Sequence, residues 1–314
     1  MRSSTTPIVL PTTAIHVPGT NQSGAVGQSE PSYTVLKFME SFCLLSAACG
    51  MVGNGLVLWY LGFRIRRNHF TVYILNLAAA DFGYLLCIAV ETVQYLMQFN
   101  PVVPAAIPKS FLLLSLFCYT TGLYLLTAIS IERCTSILCP VWYRCHRPRH
   151  LSGFMSVLLW ALPFVTVVIL CLSLKPQHCQ VSLISMNALN LLFFAPAMVI
   201  SSTILFIKVK CGSQQHQPKR LDIVILLTVL LVLPFTLPLS LWTLLQQFGY
   251  TIVVFLLACI HSSINPFIYF LVGRCRRPCS VGILRLSLQR VFEEPEENTA
   301  HSDDPAMDTA FPAF

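Results

Sequence analysis

The side chains best suited to chemistry in this chain are ionisable groups set inside long apolar runs. Asp81 closes Asn76-Leu-Ala-Ala-Ala-Asp81 in the middle of one run, Glu132-Arg133-Cys134 ends another, and Glu40 and Glu91 sit in the upper parts of theirs. A charge at bilayer depth costs about 3 kcal/mol on insertion scales, so each calls for a partner or a task. Asn54, within Gly53-Asn54-Gly55, and Asn265 are placed to reach Asp81 from neighbouring helices. A buried polar cluster of this kind marks a place where helices slide against each other, or else it is static glue between them. At Glu132-Arg133 the adjacent opposite charges can hold each other, and release of the arginine would make a new contact surface. The plainer reading is snorkelling at a helix end. Pro266 after Asn265, with Pro238 and Pro196, removes a backbone hydrogen bond and kinks its helix. Hinges in several helices suit a bundle whose end must open.

Catalysis is not what these groups suggest. A membrane enzyme would need paired His, Cys or acids converging at one depth. The one histidine pair at helical spacing, His146 and His150, is interrupted by Pro148 in a basic loop. No cofactor or metal is called for. The thirteen cysteines are odd in number, and most lie in apolar runs, where a thiol behaves as a small hydrophobe.

The elements that position these residues follow from composition. Of 314 residues, 55% are hydrophobic and 11% charged, whereas a soluble domain carries about a quarter charged residues. With a mean hydropathy of +0.69, most of the apolar surface must face something other than water. A spanning helix needs about 20 mostly apolar residues, and seven segments qualify: 34–62, 71–98, 107–139, 152–175, 181–210, 221–248 and 250–272. The expected fold is an all-α membrane protein, a seven-transmembrane helix bundle over 34–272 with an amphipathic eighth helix. Residues 1–33 are rich in Ser, Thr, Pro and Gly and have no apolar run. They read as a disordered extracellular tail without a cleavable signal peptide. Residues 273–292 carry arginines between helically spaced apolar side chains, as a helix lying on the inner leaflet does. Residues 293–314 form an acidic, disordered cytoplasmic tail, in which Thr299, Ser302 and Thr309 are candidates for phosphorylation.

Orientation comes from the basic residues, which stay in the cytoplasm. Sixteen of the twenty fall on one side: Arg64, Arg66, Arg67, Arg133, Arg144, Arg147, Arg149, Lys208, Lys210, Lys219, Arg220, Arg274, Arg276, Arg277, Arg285 and Arg290. Arg2, Lys37, Lys109 and Lys175 lie opposite. This puts the amino terminus outside and the carboxyl terminus in the cytoplasm, with the sequon at Asn21 open to glycosylation. The net charge of +7 then describes topology against anionic lipid of the bilayer rather than a nucleic-acid partner.

Taken together, these residues resemble the rhodopsin-like class of G protein-coupled receptors. Asn54, the Leu-Ala-x-Ala-Asp pattern ending at Asp81, Glu132-Arg133-Cys134, Trp160, Pro238 and Asn265-Pro-Phe-Ile-Tyr269 occur in the class's order and in the right spans. More narrowly, the chain is similar to Mas and the Mas-related receptors. Gly53-Asn-Gly-Leu-Val-Leu-Trp59, Arg67-Asn-His-Phe-Thr-Val-Tyr73, the stretch Gly122 to Cys134, Trp142-Tyr-Arg-Cys-His-Arg-Pro148 and Asn265 to Gly273 carry that likeness.

The resemblance implies a receptor that takes an extracellular ligand, a peptide before a small molecule, and catalyses nucleotide exchange on a heterotrimeric G protein. Arg133 would contact the G protein once span six moves outward, with Glu132, Cys134, Asn54, Asp81, Asn265, Pro266, Tyr269, Pro238 and Thr236 in the activation machinery. Arrestin and receptor kinases are implied as further partners. Thr236 stands where the class has its toggle tryptophan, and Gly122 and His261 stand where small polar or amide groups usually face Asp81. The class's disulfide at the outer end of span three has no cysteine here. The Mas-related bridge instead implies Cys171 with Cys179, against a reading as two free thiols. Cys275 and Cys279 after span seven are candidates for palmitoylation. The acidic pair used by cation-binding family members is matched by Leu170 and Leu183, which leaves Glu91 as the candidate ligand carboxylate. Ser115 and Tyr119 on span three, and Phe235 and Trp242 on span six, stand beside it as candidate ligand residues. A transporter is the main rival, but it would show internal repeats or spans broken at mid-membrane, and the chain has neither.

Overall fold

The computed structural model describes residues 30–65, 68–96, 106–148, 150–172, 184–211, 223–229 and 251–273, together with 288, 289 and 291. The regular structure of these residues is helical, without a strand. We number the helices α1 (Glu30–Phe63), α2 (His69–Leu96), α3 (Ala106–Leu138), α4 (Pro140–Cys145), α5 (Leu151–Leu172), α6 (Ala195–Cys211) and α7 (Thr251–Gly273). Five helical stretches are long and apolar enough to cross a membrane, namely Lys37–Phe63, His69–Gln94, Ser110–Leu138, Leu151–Val168 and Ile184–Ile207. Phe255–Leu271 within α7 is a shorter apolar helical stretch. Of the sixth expected span only 223–229 is described, and it is helical. The expected tail at 1–33 gives way to helix already at Glu30. Of the expected eighth helix, residues 288, 289 and 291 are helical and Leu288 and Val291 are buried; the rest of it, and the acidic tail, lie outside the described residues.

The helices sort by how much of each is covered. In α3, 72% of the apolar window is buried and in α2 56%, whereas in α1, α5 and the Ile184–Ile207 stretch the share is 22–28%. Thus α3 is the central post. It packs against α2, α5 and α6, while α1 and α7 close against each other and against α2. Apolar residues on the outer faces, such as Phe38, Trp59, Phe154, Val157, Phe193 and Leu271, are exposed, which suits a lipid solvent.

Two local features were not anticipated. Residue types that end helices explain the first. Pro140 disfavours helical backbone at the residue before it, so α3 stops at Leu138, and Cys139 (φ −127°, ψ 62°) turns the chain. Pro140 then sits at the start of the six-residue α4, where its missing N–H costs nothing. The second is a π-helical turn at Asn190–Phe194, in which the N–H of Ala195 donates to the Asn190 carbonyl. Pro196, the residue expected to hinge span five, lies just beyond it at the start of α6.

The start of α2 is fixed by its own sequence. Asn68 Oδ1 accepts from the backbone N–H groups of Phe70 (3.0 Å) and Thr71 (2.8 Å), while Thr71 Oγ1 accepts from the Asn68 N–H at 2.7 Å. This reciprocal cap sets the direction of the first turn, and with it the placement of Phe70 and Tyr73.

Candidate functional site

Mid-bundle, Asp81 on α2 is buried and accepts a 2.7 Å hydrogen bond from Asn265 Nδ2 on α7. Gly122 on α3 faces the same carboxylate, since a Cβ built on it would lie 3.6 Å from Asp81 Oδ1. Asn54 acts differently from the expectation that it reaches Asp81. Its Nδ2 donates to Gly50 O and to Ser262 O, each at 3.0 Å. Ser262 is four residues before Pro266, so its carbonyl is the one that the proline leaves without a helical donor. Asn54 of α1 supplies that donor, and the kink in α7 is thereby tied to α1. Ser263 adds a second contact with α1: its one hydroxyl proton is shared between Cys259 O of its own helix (2.7 Å) and Ser46 O (2.9 Å), and Ser46 Oγ donates to Ser263 Oγ at 3.4 Å. Tyr269, one turn beyond Asn265, is buried, as is His261.

At the α3–α4 junction the expected pairing of Glu132 with its neighbour Arg133 is replaced by a longer-range arrangement. Arg147, just past α4, places Nη2 2.7 Å from both carboxylate oxygens of Glu132. The side chains are 2% and 13% exposed. Tyr73 of α2 donates its hydroxyl to Glu132 Oε1 at 2.8 Å, and Tyr143 of α4 donates to Oε2 at 3.3 Å. Burial, and then the Glu132 carboxylate, push the Tyr143 phenol up, so it stays protonated and a donor. Arg133 is buried with its guanidinium 4.9 Å from the centre of the Phe70 ring. Phe70 in turn stacks on Tyr143 at 6.2 Å, and Arg147 lies 5.2 Å over that same tyrosine ring. Cys134 is buried beside them in sequence. Trp160 on α5 donates to Asn76 Oδ1 at 3.0 Å, which fixes α5 to α2 one helical stretch away from Asp81.

In the other half of the bundle Glu91 is partly buried. Its Oε1 is enclosed and has no hydrogen-bond partner among the described residues, and Glu40 Oε2 on α1 is in the same condition. Tyr119 is buried with its ring 5.4 Å from that of Tyr84. Tyr84 donates to Phe255 O at 3.4 Å. Ser115 is buried and its hydroxyl donates back to Leu112 O at 2.8 Å, so as a ligand contact it has only acceptor capacity to offer. Among the described residues no group of three or more His, Cys, Asp or Glu is arranged to hold a metal.

Thr236, Phe235, Pro238, Trp242, Cys179, Cys275, Cys279 and Asn21 lie outside the described residues, and so does the side chain of Cys171 in the last turn of α5. Sequence reasoning missed Tyr73, Tyr143 and Arg147. All three lie in stretches that carry the family likeness, but the tyrosines have no charge to suggest a role, and Arg147 is otherwise counted as a topogenic charge.

The family model described as 7 transmembrane receptor (rhodopsin family) matches residues 53–269, from the glycine before Asn54 to Tyr269. The chain belongs to the rhodopsin family of seven-transmembrane receptors. Within that family it is similar to proto-oncogene Mas of Rattus norvegicus, 37% identical over 291 residues that cover 87% of this chain and 88% of the relative. It is also similar to Mas-related G-protein coupled receptor member D of Macaca fascicularis, 40% identical over 279 residues covering 82% and 86% of the two chains. Member X2 of Macaca mulatta is 40% identical over 273 residues covering 81% and 82%. This places the chain in the Mas-related group as a multi-pass membrane receptor.

Proposed function

We propose that this receptor sits in the plasma membrane with its amino terminus outside, binds an extracellular peptide, and activates a heterotrimeric G protein at the α3–α4 junction. The observation that carries the reading is a buried cation, Arg133, packed on Phe70 at the end of the central helix, on the side where the basic loops cluster. A desolvated guanidinium held on an aromatic face is a stored contact. Parting of the helices at that end would present it to a partner.

The path from ligand to that end runs through the bundle. Asp81 and Asn265 join α2 to α7, Asn54 ties the Pro266 kink to α1, and α3 spans from Ser115 and Tyr119 to Arg133. A ligand that favours one arrangement of α7 and the sixth span over another shifts the population at the far end by its differential affinity. Glu91, Ser115 and Tyr119, with Phe235 and Trp242, are the residues we assign to the ligand, and Glu132, Arg133, Cys134, Asn54, Asp81, Asn265, Pro266, Tyr269, Pro238 and Thr236 to coupling and activation. Arrestin and receptor kinases would act on the same face and on the carboxyl-terminal tail. We further assign a Cys171 to Cys179 bridge, a glycan at Asn21 and palmitoyl groups on Cys275 and Cys279.

The test is a G protein activation screen of peptide and amine libraries in cells expressing the receptor, repeated with Arg133→Ala and Glu91→Gln. Arg133→Ala should abolish the response at equal surface expression, and Glu91→Gln should weaken ligand potency while sparing the maximal response. Undiminished signalling by the arginine variant would overturn the coupling assignment; unchanged potency in the glutamine variant would overturn the ligand one.

A further inference from the structure

We infer that Arg147 is a positioning residue for coupling: its bond to Glu132 holds α4 in register against the end of α3, in the orientation that the G protein meets. This rests on the coupling reading above.

Helix α4 cannot hold itself in place. It has six residues and no side-chain cap at Cys139, far below the length at which a helix is stable alone. Its exposed Val141 and Trp142 face away from the protein, so external ties must fix it. The ties converge on Glu132. Arg147 engages both carboxylate oxygens at 2.7 Å, Tyr143 of α4 reaches the same group, and Tyr73 joins it from α2. One carboxylate therefore fastens α2, α3, α4 and the segment after α4. With the arginine side chain 2% exposed, this is not one of the solvent-screened surface pairs that contribute little. A buried charge whose partner is removed is left uncompensated. Arg147 also overlies Tyr143, whose ring stacks on the Phe70 that carries Arg133. The residue that fastens α4 is thus in packing contact, through two rings, with the proposed coupling arginine.

The experiment uses the full-length receptor in lipid nanodiscs, as wild type and as Arg147→Gln, Arg147→Lys, Glu132→Gln, the Glu132→Gln/Arg147→Gln double variant and Arg133→Ala. Two quantities are read: amide hydrogen exchange over residues 138–148, and affinity for nucleotide-free heterotrimers drawn from the different Gα classes. Loss of a hydrogen bond to a charge should speed exchange in α4 and weaken heterotrimer binding by roughly tenfold each in Arg147→Gln. Only Nη2 of Arg147 meets the carboxylate, so Arg147→Lys keeps the charge and a single nitrogen donor on a differently shaped side chain, and should recover part of both. The double variant should be no worse than the more affected single variant, because the two residues act as one unit.

Unchanged α4 exchange in Arg147→Gln overturns the inference, and so does unchanged heterotrimer affinity alongside faster exchange. Full additivity in the double variant overturns the pairing. Failure of the coupling reading looks different: Arg133→Ala binds heterotrimer as well as wild type, or no heterotrimer binds wild type. Either result ends the claim that Arg147 positions a coupling surface.

Discussion

At the α3–α4 junction the carboxylate of Glu132 accepts from Arg147, Tyr73 and Tyr143, while in the other half of the bundle one oxygen of Glu91 is enclosed with no partner among the described residues. Buried polar groups are nearly always hydrogen-bonded, and a fully satisfied network rigidifies what it joins. Glu132 is therefore a fastening, and its worth lies in the state it holds. Glu91 carries a desolvation cost with no compensation from those residues, as a group does when stability has been given up for binding. Glu40 Oε2 shares its condition, so the contrast is between two regions rather than two residues. At one end the acid has both oxygens filled, although Arg147 Nε beside it is enclosed with no partner among the described residues; at the other end the acids themselves are short of donors.

That contrast can be broken most forcefully at Glu132. Glu132→Ala strands the buried Arg147 guanidinium and removes the acceptor of two phenols, and loss of a buried pair's partner costs about 3–5 kcal/mol. The purified receptor should unfold at a markedly lower temperature, and a melting curve matching wild type would mean that the junction is not the fastening described. Asn54→Ala is next. It withdraws the donor from the Ser262 carbonyl opposite Pro266, and an orphaned buried acceptor costs about 1–3 kcal/mol. Its thermal unfolding should fall between those of Glu132→Ala and wild type, and no change would show that the α7 kink needs no help from α1. Tyr73→Phe deletes one of several donors to a carboxylate that keeps its arginine, so the expected loss is only about 1 kcal/mol. A loss as large as that of Glu132→Ala would make the tyrosine, not the arginine, the main partner.

The spans were legible because a run of about 20 apolar residues is a strong signal, and Asp81 with Asn265 because a polar residue inside such a run stands out. Other features depend on geometry that no single window contains. Helix α4 is a six-residue consequence of Pro140, too short to register as periodicity. The Glu132 to Arg147 bond crosses fifteen residues and exists only because that proline turns the chain back. Arg147 belongs to a stretch that carries the family likeness, but with sixteen basic residues already explained by topology nothing in that stretch points to Glu132 as its partner. Asn54 is a different case, since the four-residue offset from Ser262 to Pro266 was in the sequence. The more conspicuous acid at Asp81 simply drew the expectation towards itself.

The smallest effect is also the one that sharpens the contrast, because its sign is opposite. Glu91→Gln replaces a partly buried carboxylate, short of one hydrogen bond, by a neutral amide of the same shape. A neutral group is cheaper to desolvate than a charged one. The substitution should therefore leave stability unchanged or raise it, by up to about 1 kcal/mol, while ligand potency falls. Glutamine at Glu132 must do the reverse, since there the charge is the acceptor that Arg147 requires. Measured side by side by thermal unfolding in one lipid system, the two glutamine variants should move in opposite directions. If Glu91→Gln destabilises as Glu132→Gln does, Glu91 has a structural partner in the bundle, and the region assigned to the ligand is a second fastening.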